Sequence, residues 1–474
     1  MASRYNTLLK DTLIFGLGNL GSKLILFLMV PLYTNYMTSA EYGTVGLVFT
    51  MAQLFNPFLS LVIFDAVSRF GLSKNEKREN VLLIGYVVLC FSIVAGLILV
   101  PVVGLYGAVS EWTWYLYLYI IVSITNSIEF RFLKAKGRNK SCAFISVVQT
   151  ALSASLNFFF LVFLSMGVQG CLVAYIMSNL TIDVIIFIAG DYWQDLKKAY
   201  FDEDLFKRMV FYSAPLILNN ISWWVIHSSD KVMIEAMISV AALGIFTAAS
   251  KIPALINVMV AIFQQAWGIS AVREIETTND GRYYSSVFKY LFLFTSCACI
   301  VFVSIMKFFM RYYVGEAFRD AWHYVPLLLV SAVFASVASY YGTMYGALKK
   351  SVNNMLTTLL AAVVNIAVNW IFIPITGIWG AVIGTVVSYI VLSFARMFDV
   401  QRYLEITTNW KTYLPNCLII IIQAILVSFD IHIVIVSVLA LVLFVIINFT
   451  DIRILIWHII GAIKGISGRL LKVN

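Results

Sequence analysis

The sequence predicts an all-α, polytopic membrane protein, and its composition and the length of its apolar stretches carry that prediction. Of its 474 residues, 61% are hydrophobic and only 12% are charged, whereas a soluble globular domain is usually about 25% charged. Apolar stretches of roughly 20 residues, the length of a helix that crosses a bilayer, recur along the whole chain. A membrane β-barrel would instead show alternating segments of about 10 residues.

We predict about fourteen transmembrane helices, the last two of which meet around Asp430 and His432. The chain starts with the polar stretch MASRYNTLLKDT and has no small-residue cleavage site, so we expect no cleavable signal peptide. The predicted spans are residues 12–36, 42–67, 81–103, 113–132, 141–164, 168–189, 210–236, 241–271, 286–308, 322–347, 352–373, 378–398, 413–429 and 431–449.

The basic residues predict the orientation of these spans. Of the 33 Lys and Arg, 27 lie in alternate segments that begin with the N-terminus, 4 lie in the opposite segments, and Lys23 and Lys251 lie inside spans. By the positive-inside rule, both termini are cytoplasmic. The net charge of +9 therefore reflects membrane orientation, and we expect no nucleic-acid partner.

Short internal similarities predict two six-helix lobes. Gly43 and Gly244 occupy matching places before an apolar helix, 201 residues apart, and GVQG at Gly167 matches GIWG at Gly377. Because six spans is an even number, both lobes would run the same way through the membrane around a central cavity. We predict an N-terminal lobe at 1–200, a C-terminal lobe at 201–411, two further helices at 412–450, and a basic amphipathic cytoplasmic tail at 451–474.

No motif for catalysis is present in the sequence. We find no nucleophile–base motif, phosphate-cradling Gly loop or metal cluster, and the longest predicted outer loop has about a dozen residues. Cys297 and Cys299 are too close in sequence for a usual zinc pair. We therefore expect neither an enzyme nor a cofactor, and no ATP-powered pump on this chain alone.

Three stretches resemble bacterial polysaccharide and O-antigen flippases of the multidrug/oligosaccharidyl-lipid/polysaccharide exporter superfamily. They are DTLIFGLGNLGSKLILFLMVPLYTNYMTSAEYGTVGLV from Asp11, SSDKVMIEAMISVAALGIFTAASKIPAL from Ser228, and LKKSVNNMLTTLLAAVVNIAVNWIFIPITGIWGAVIGTVVSY from Leu348. The resemblance implies two V-shaped helical bundles in the bacterial cytoplasmic membrane. It also implies transport of undecaprenyl-diphosphate-linked sugar repeat units for O-antigen, capsule or exopolysaccharide.

Lys23 and Lys251 are the main candidates for substrate binding. Each lies near the middle of a predicted span, without an acidic residue three or four positions away. A charge near the bilayer midplane costs at least ~2.5–3.5 kcal/mol, so it normally faces a bundle interior or a wet cavity. We predict that both lysines hold the substrate diphosphate in the inward-open state. A buried pair with a distant acid is the alternative.

Other polar residues within the spans have candidate roles in coupling, gating or sugar contact. Asp65 stands four residues before Arg69, which also fits an ion pair at a helix end, and His227 stands three residues before Asp230. Helix–helix hydrogen bonds and interfacial placement are the alternatives for most of them. The candidates for coupling or gating are Asp65, Glu129, Asp183, His227, Asp230 and Lys231, and those for sugar contact are Asn56, Tyr340, Tyr341 and Asn365.

A secondary transporter that works by alternating access fits these features best. The alternative from the same superfamily is a cation-coupled exporter of small drugs, whose cationic cargo fits poorly beside two lysines. Candidate partners are the bilayer, the undecaprenyl-diphosphate-linked glycan, H⁺ or Na⁺ as the coupling ion, and polysaccharide polymerase or assembly proteins.

Overall fold

The computed structural model describes residues 21, 23, 25–73, 75–277, 280–348 and 350–454, and its regular structure there is entirely helical. A 3₁₀ turn precedes α5 (Gly107–Trp112) and another precedes α13 (Glu316–His323), and a π-helical turn follows α6 (Phe159–Phe163). The helices are α1 Ile25–Tyr36, α2 Ser39–Leu59, α3 Ile63–Gly71, α4 Arg78–Val103, α5 Thr113–Ala135, α6 Asn139–Phe158, α7 Gly167–Ala189, α8 Tyr192–Lys198, α9 Glu203–Met237, α10 Val240–Ala249, α11 Pro253–Thr277, α12 Gly281–Tyr313, α13 Val325–Ala347, α14 Ser351–Thr376, α15 Ile378–Val400, α16 Trp410–Ser428 and α17 Ile433–Ile447.

Within the described ranges, ten helices are long and apolar enough to cross a membrane, and two bent helix pairs raise the number to twelve. The shorter apolar helices α1 and α17 occupy the places of the first and fourteenth predicted spans. The chain is therefore a multi-pass membrane protein, while the count of fourteen stays a prediction. The predicted tail lies outside the described residues beyond Ile454.

Two of the predicted spans are broken rather than continuous. The helices α2 and α3 meet at an angle of 58°, and α10 meets α11 at 47°. At the first break, Leu61 and Val62 adopt positive φ angles of 50° and 52°. The freed main-chain groups find side-chain partners, since Ser92 donates to the carbonyl of Leu59 at 2.7 Å. Such breaks within a membrane need this kind of internal hydrogen bonding.

The helices pack as two sets with an appended pair. Helices α2 to α8 contact one another, helices α9 to α15 form the second set, and α16 and α17 pack together against α12 and α13. We call these sets the N-half and the C-half. The helix α1 contacts both halves. The hydroxyl of Tyr33 lies 3.2 Å from the hydroxyl of Tyr175 on α7, and Tyr313 of α12 donates to the carbonyl of Phe27. The residue boundaries of the predicted lobes stay a prediction.

Candidate functional site

The two halves meet most closely where α2 and α10 begin. A Cβ atom on Gly43 would overlap the carbonyl oxygen of Val240, and one on Gly244 would overlap that of Ser39. Glycine is therefore required at both positions for the two backbones to approach this closely. In the predicted orientation this is the outer face of the membrane, and we call this contact the outer closure.

Neighbouring segments extend the outer closure. Gly315, which follows α12, donates its main-chain N–H to the hydroxyl of Thr34 at the end of α1, at 3.0 Å. Tyr106, before α5, donates to the carboxylate of Glu235 near the end of α9. These links join both halves on the same face, so the cavity between them is shut off from the outer side at this contact.

At the opposite, inner end the halves touch through exposed side chains. Nη1 of Arg208 at the start of α9 lies 2.7 Å from Oε1 of Glu76, and 45% of the Arg208 side chain is exposed. The rings of Phe70 and Tyr212 meet edge to face, with centroids 5.9 Å apart. Exposed ion pairs contribute little stability, so the inner contact is the weaker of the two.

Between these contacts the cavity has two chambers on either side of α9. The chamber against the N-half has a volume of about 320 Å³ and that against the C-half about 380 Å³. Trp223 and His227 line both chambers. Amide side chains complete the lining, with Asn56 and Asn220 on the N-half side and Asn257 on the C-half side.

Trp223 and His227 form a flat aromatic surface in this cavity. Their rings are stacked with centroids 5.5 Å apart and an interplanar angle of 8°. Nδ1 of His227 is 2.9 Å from the hydroxyl of Tyr389 on α15, which fixes the orientation of the imidazole. An aromatic surface next to amides offers both stacking and hydrogen bonds to a bound molecule.

Three lysines converge between the halves. Lys251 lies at the break between α10 and α11, and the charges of Lys23 and Lys231 are close enough to repel it. Lys23 and Lys251 are exposed and Lys231 is half-exposed. At a rise of 1.5 Å per residue, Lys251 lies about 16 Å along the helix axis from the first residue of α10. Within the described residues none of the three belongs to an ion pair. We call Lys23, Lys231 and Lys251 the lysine cluster.

The sequence predicts a gating role for Lys231, because Asp230 next to it offers a local partner. In the structure, the carboxylate of Asp230 accepts the main-chain N–H of Lys231 at 2.8 Å and the hydroxyl of Thr385 at 3.3 Å. Asp230 is buried, and its negative charge offsets part of the charge of Lys231. The Asp230 carboxylate nevertheless forms no ion pair with the Lys231 ammonium group. The approach of Lys231 to Lys251 depends on the packing of α9 against α10, which the sequence does not display.

Several other sequence candidates have partners that differ from those expected. Asp65 pairs with Arg131 of α5 at 3.0 Å, and Arg69 forms no ion pair in the described part of the chain. The hydrogen bonds of His227 and Asp230 go to separate residues of α15, so the predicted His–carboxylate pair is not formed. Only Asn56 among the predicted sugar contacts lines the cavity.

The remaining predicted sugar contacts are buried in the helix packing. Tyr340 donates to the carbonyl of Tyr284 at 2.8 Å, and Tyr341 is fully buried beside it. Asn365 accepts the hydroxyl of Ser229 at 3.1 Å and joins α14 to α9. None of the three lines either chamber, so their contact with sugar has no geometric support here.

Glu129 and Asp183 lie inside the N-half, away from both chambers. Tyr86 donates to Oε1 of Glu129 at 2.6 Å, and Asn126 donates to Oδ1 of Asp183 at 2.7 Å. Both carboxyl groups are buried, with 2% of Glu129 and 5% of Asp183 exposed. Within the described residues, no group of three or more His, Cys, Asp or Glu is placed to hold a metal ion.

Comparison with known proteins agrees with this architecture. The model of the family "Polysaccharide biosynthesis protein" matches residues 8–268, more than half of the chain. Protein 1 of the Lsg locus of Haemophilus influenzae is 22% identical over 349 residues, which are 70% of this chain and 85% of that protein.

Solved structures with the same fold include transporters of two kinds. The lipid II flippase MurJ, in an inward closed conformation, matches with a TM-score of 0.70 and 13% identity, over 94% of this chain and 100% of its own. An inward-facing multidrug resistance MATE transporter matches with a TM-score of 0.61 and 16% identity, over 80% of this chain and 98% of its own. Because the family model covers most of the chain, this protein belongs to the polysaccharide biosynthesis protein family and has the fold shared by MurJ and MATE transporters.

Proposed function

We propose that this protein is a flippase that carries undecaprenyl-diphosphate-linked oligosaccharide repeat units across the bacterial cytoplasmic membrane by alternating access. The lysine cluster carries the proposal. The charges of Lys23 and Lys231 lie close enough to that of Lys251 to repel it, and within the described residues none of the three has an ion-pair partner. The cluster therefore binds an anion more favourably than it binds water or a cation.

The charge of the site suits a diphosphate. Asp230 offsets part of the charge of Lys231, so the cluster keeps an excess of positive charge. A diphosphate esterified at both ends carries an ionised oxygen on each phosphorus, and several lysines can contact both. Lysine is a point charge on a flexible stem, so it can follow a phosphate as the halves move.

The two chambers suit the sugars of the repeat unit. Their polar lining, Asn56, Asn220 and Asn257, supplies donors and acceptors for hydroxyl groups. The stacked rings of Trp223 and His227 supply a flat apolar surface for a sugar face. These residues take the role that the sequence had given to Tyr340 and Tyr341.

The unequal contacts at the two faces suit a carrier that loads from the inner side. The outer closure packs backbone against backbone, whereas the inner contact consists of exposed side chains. In this proposal the inner contact opens to admit the headgroup, and the lysine cluster receives the diphosphate. Rocking of the two halves then separates Gly43 from Gly244 on the outer side.

Export of small drugs is the second candidate, supported by the likeness of the fold to MATE transporters. The aromatic surface at Trp223 would accept a flat apolar cation. The lysine cluster argues against it, because the cluster repels such a cargo. The two functions therefore predict ligands of opposite charge.

Ligand binding to the purified protein in nanodiscs distinguishes the flippase from the drug exporter. We expect undecaprenyl diphosphate to bind wild type and to lose at least tenfold in affinity with Lys23→Ala, Lys231→Ala or Lys251→Ala. Lys207→Ala is the matched control, since Lys207 pairs with Glu203 at 2.7 Å on an exposed helix surface. Binding of cationic drugs but not of undecaprenyl diphosphate would favour the exporter.

A further inference from the structure

A second cavity lies apart from the two chambers, at the inner ends of α12 and α16. Its volume is about 440 Å³, and the segment that follows α17 forms one of its walls. Cavities of this size bind small molecules in other proteins. Its lining residues differ from those of both chambers, so the proposed glycan path does not account for it. We call it the inner cavity, since these helix ends are cytoplasmic in the predicted orientation.

The packing of a loop on α12 fixes the shape of the inner cavity. The loop between α15 and α16 crosses the first turn of α12, where a Cβ atom on Gly281 would overlap the carbonyl oxygen of Glu405. The main-chain N–H of Thr407 in this loop donates to the hydroxyl of Ser285 at 2.8 Å. These contacts hold the loop against α12, so the inner cavity is part of the fold.

A lysine and an aspartate stand side by side on the wall of the inner cavity. Nζ of Lys289 on α12 lies 2.8 Å from Oδ1 of Asp451 in the segment after α17. Among the described lining residues, these are the two that carry a charge. An ammonium has three donors and a carboxylate has two acceptor oxygens, so each group can bind a ligand in addition to its partner.

The balance of charge in this pair selects the kind of ligand. The charges of Lys289 and Asp451 cancel, so a ligand with a net charge would leave one charge in the inner cavity uncompensated. A ligand that carries one cation and one anion places each charge next to its opposite, and both contacts are charge-assisted hydrogen bonds. The inner cavity differs in this respect from the lysine cluster, whose excess of positive charge suits a diphosphate.

The polarity of the inner cavity changes with depth along α12. Ser285, Lys289 and Leu293 stand four residues apart on one face of the helix, about 6 Å from each to the next. Hydroxyl groups line the shallow end, whereas Phe292 and Leu293 line the deep end toward the bilayer interior. A polar headgroup with attached hydrocarbon chains matches this order, and a soluble metabolite would leave the apolar end unused.

We propose that the inner cavity binds the headgroup of a zwitterionic phospholipid with a primary ammonium, such as phosphatidylethanolamine, from the cytoplasmic leaflet. The lipid phosphate contacts the ammonium of Lys289, and the lipid ammonium donates to the carboxylate of Asp451. The start of the acyl chains lies against Phe292. The bound lipid joins α12 to α16 and to the segment after α17, so it stabilises the packing of the appended pair. This site does not depend on the identity of the transported cargo.

Native mass spectrometry of the purified protein tests the site with lipids of matched acyl chains. We expect phosphatidylethanolamine to bind about tenfold more tightly than phosphatidylcholine, whose quaternary ammonium has no N–H to donate to Asp451. Phosphatidylglycerol, which has no cation, should also bind more weakly. Equal binding of the three lipids, or tightest binding of phosphatidylglycerol, overturns the proposal.

Asp451→Asn tests the balance of charge. This variant leaves Lys289 without its negative partner, so phosphatidylglycerol should bind it at least as tightly as phosphatidylethanolamine. Glu203→Gln is the matched control, because it removes the same charge from the exposed pair Lys207–Glu203. The control should keep the wild-type preference. A wild-type preference in Asp451→Asn contradicts the assigned contacts.

Ser286→Trp tests the location without changing the charged pair. Ser286 is an exposed residue that lines the inner cavity, so an indole there fills the space of the headgroup. We expect its Tm without lipid to match wild type, and the rise in Tm that phosphatidylethanolamine gives wild type to be lost. Thr376→Trp, at an exposed position near the outer end of α14, should keep that rise. A full rise in Ser286→Trp, or no rise in wild type, overturns the proposal.

Glycerophosphoethanolamine distinguishes a lipid from a soluble ligand of the same charge. It carries the phosphate and the ammonium without acyl chains, so we expect it not to displace phosphatidylethanolamine at equal concentration. Complete displacement would assign the inner cavity to a soluble ligand and would overturn its assignment to a lipid.

Discussion

Gly43 of α2 and Gly244 of α10 pack backbone against backbone, although 201 residues separate them in the sequence. They are also the two residues that the internal similarity aligns, so matching positions of the two halves meet each other. Neither position has room for a Cβ atom. The outer closure is therefore sensitive to the smallest enlargement of a side chain.

Gly43→Val is expected to open the outer closure. Overpacking of a tight contact typically costs about 1–3 kcal/mol, which shifts a two-state equilibrium by roughly 5- to 150-fold. Labelling by a membrane-impermeant maleimide measures this shift at Thr247→Cys, since Thr247 is buried where Gly46 approaches it. Cys90, an exposed native thiol, is replaced by Ser in this background.

Gly346→Val is the matched control for that substitution. Gly346 lies within α13, and a Cβ atom there meets nothing within 4 Å. Labelling of Thr247→Cys should therefore stay as low as in the parent protein. Unchanged labelling in Gly43→Val would show that the glycine contact does not hold the outer side shut.

Removal of the inner ion pair should change the rate of glycan translocation only slightly. An exposed pair such as Arg208–Glu76 contributes little, so Arg208→Ala should change the initial rate of glycan translocation by at most about fivefold. Glu76→Ala should have an equally small effect, because it removes the same ion pair from the other side. A loss far above tenfold in Arg208→Ala but not in Glu76→Ala would mean that Arg208 contacts the cargo.

Asn416 and Asn448 should stabilise the packing of α16 against the segment after α17. Each amide donates to the other, at 3.0 Å and 2.9 Å, and both are buried. Asn416→Leu leaves Asn448 with only the main-chain oxygen of Phe444 as a partner, 2.8 Å away, which should cost about 1–3 kcal/mol. The double variant Asn416→Leu/Asn448→Leu should recover much of that loss, because it leaves no polar group unpaired.

Thermal unfolding in detergent, followed by circular dichroism, measures both variants. A double variant as unstable as Asn416→Leu alone would show that the two leucines do not fit the space of the two amides. Asn353, whose amide faces Asp399 at a partly exposed site, gives a control in Asn353→Leu. Because Asn353 is less buried than Asn416, we expect Asn353→Leu to lower Tm by less than Asn416→Leu does.

Isolated charge is the feature of the candidate site that the sequence displays, and the role of Lys23 and Lys251 in substrate binding stays a prediction. Lys23 and Lys251 stand alone in long apolar spans, and a charge placed there must face a cavity or a partner. Lys231 was missed as a member of the cluster, because Asp230 beside it suggested a local pair. Its approach to Lys251 depends on how α9 packs against α10, which is a long-range property.

The sequence does not predict the role of a residue when that role depends on which face of its helix the residue occupies. Tyr340 and Tyr341 are as aromatic as Trp223, but the packing of α13 buries them whereas α9 presents Trp223 to the cavity. The position of the break between α2 and α3 is not visible in the hydropathy, which continues unbroken through Leu61 and Val62. That break turns α3, so Asp65 meets Arg131 rather than Arg69.

Translocation of a fluorescent undecaprenyl-diphosphate-linked glycan between the leaflets of proteoliposomes tests the central claim most directly. We predict that wild type accelerates it and that Lys251→Gln, with its charge removed, reduces the rate to that of protein-free liposomes. Lys207→Gln should match wild type. Wild-type protein that leaves the rate unchanged, or Lys251→Gln that transports at full speed, would contradict the claim that the lysine cluster carries a diphosphate across the membrane.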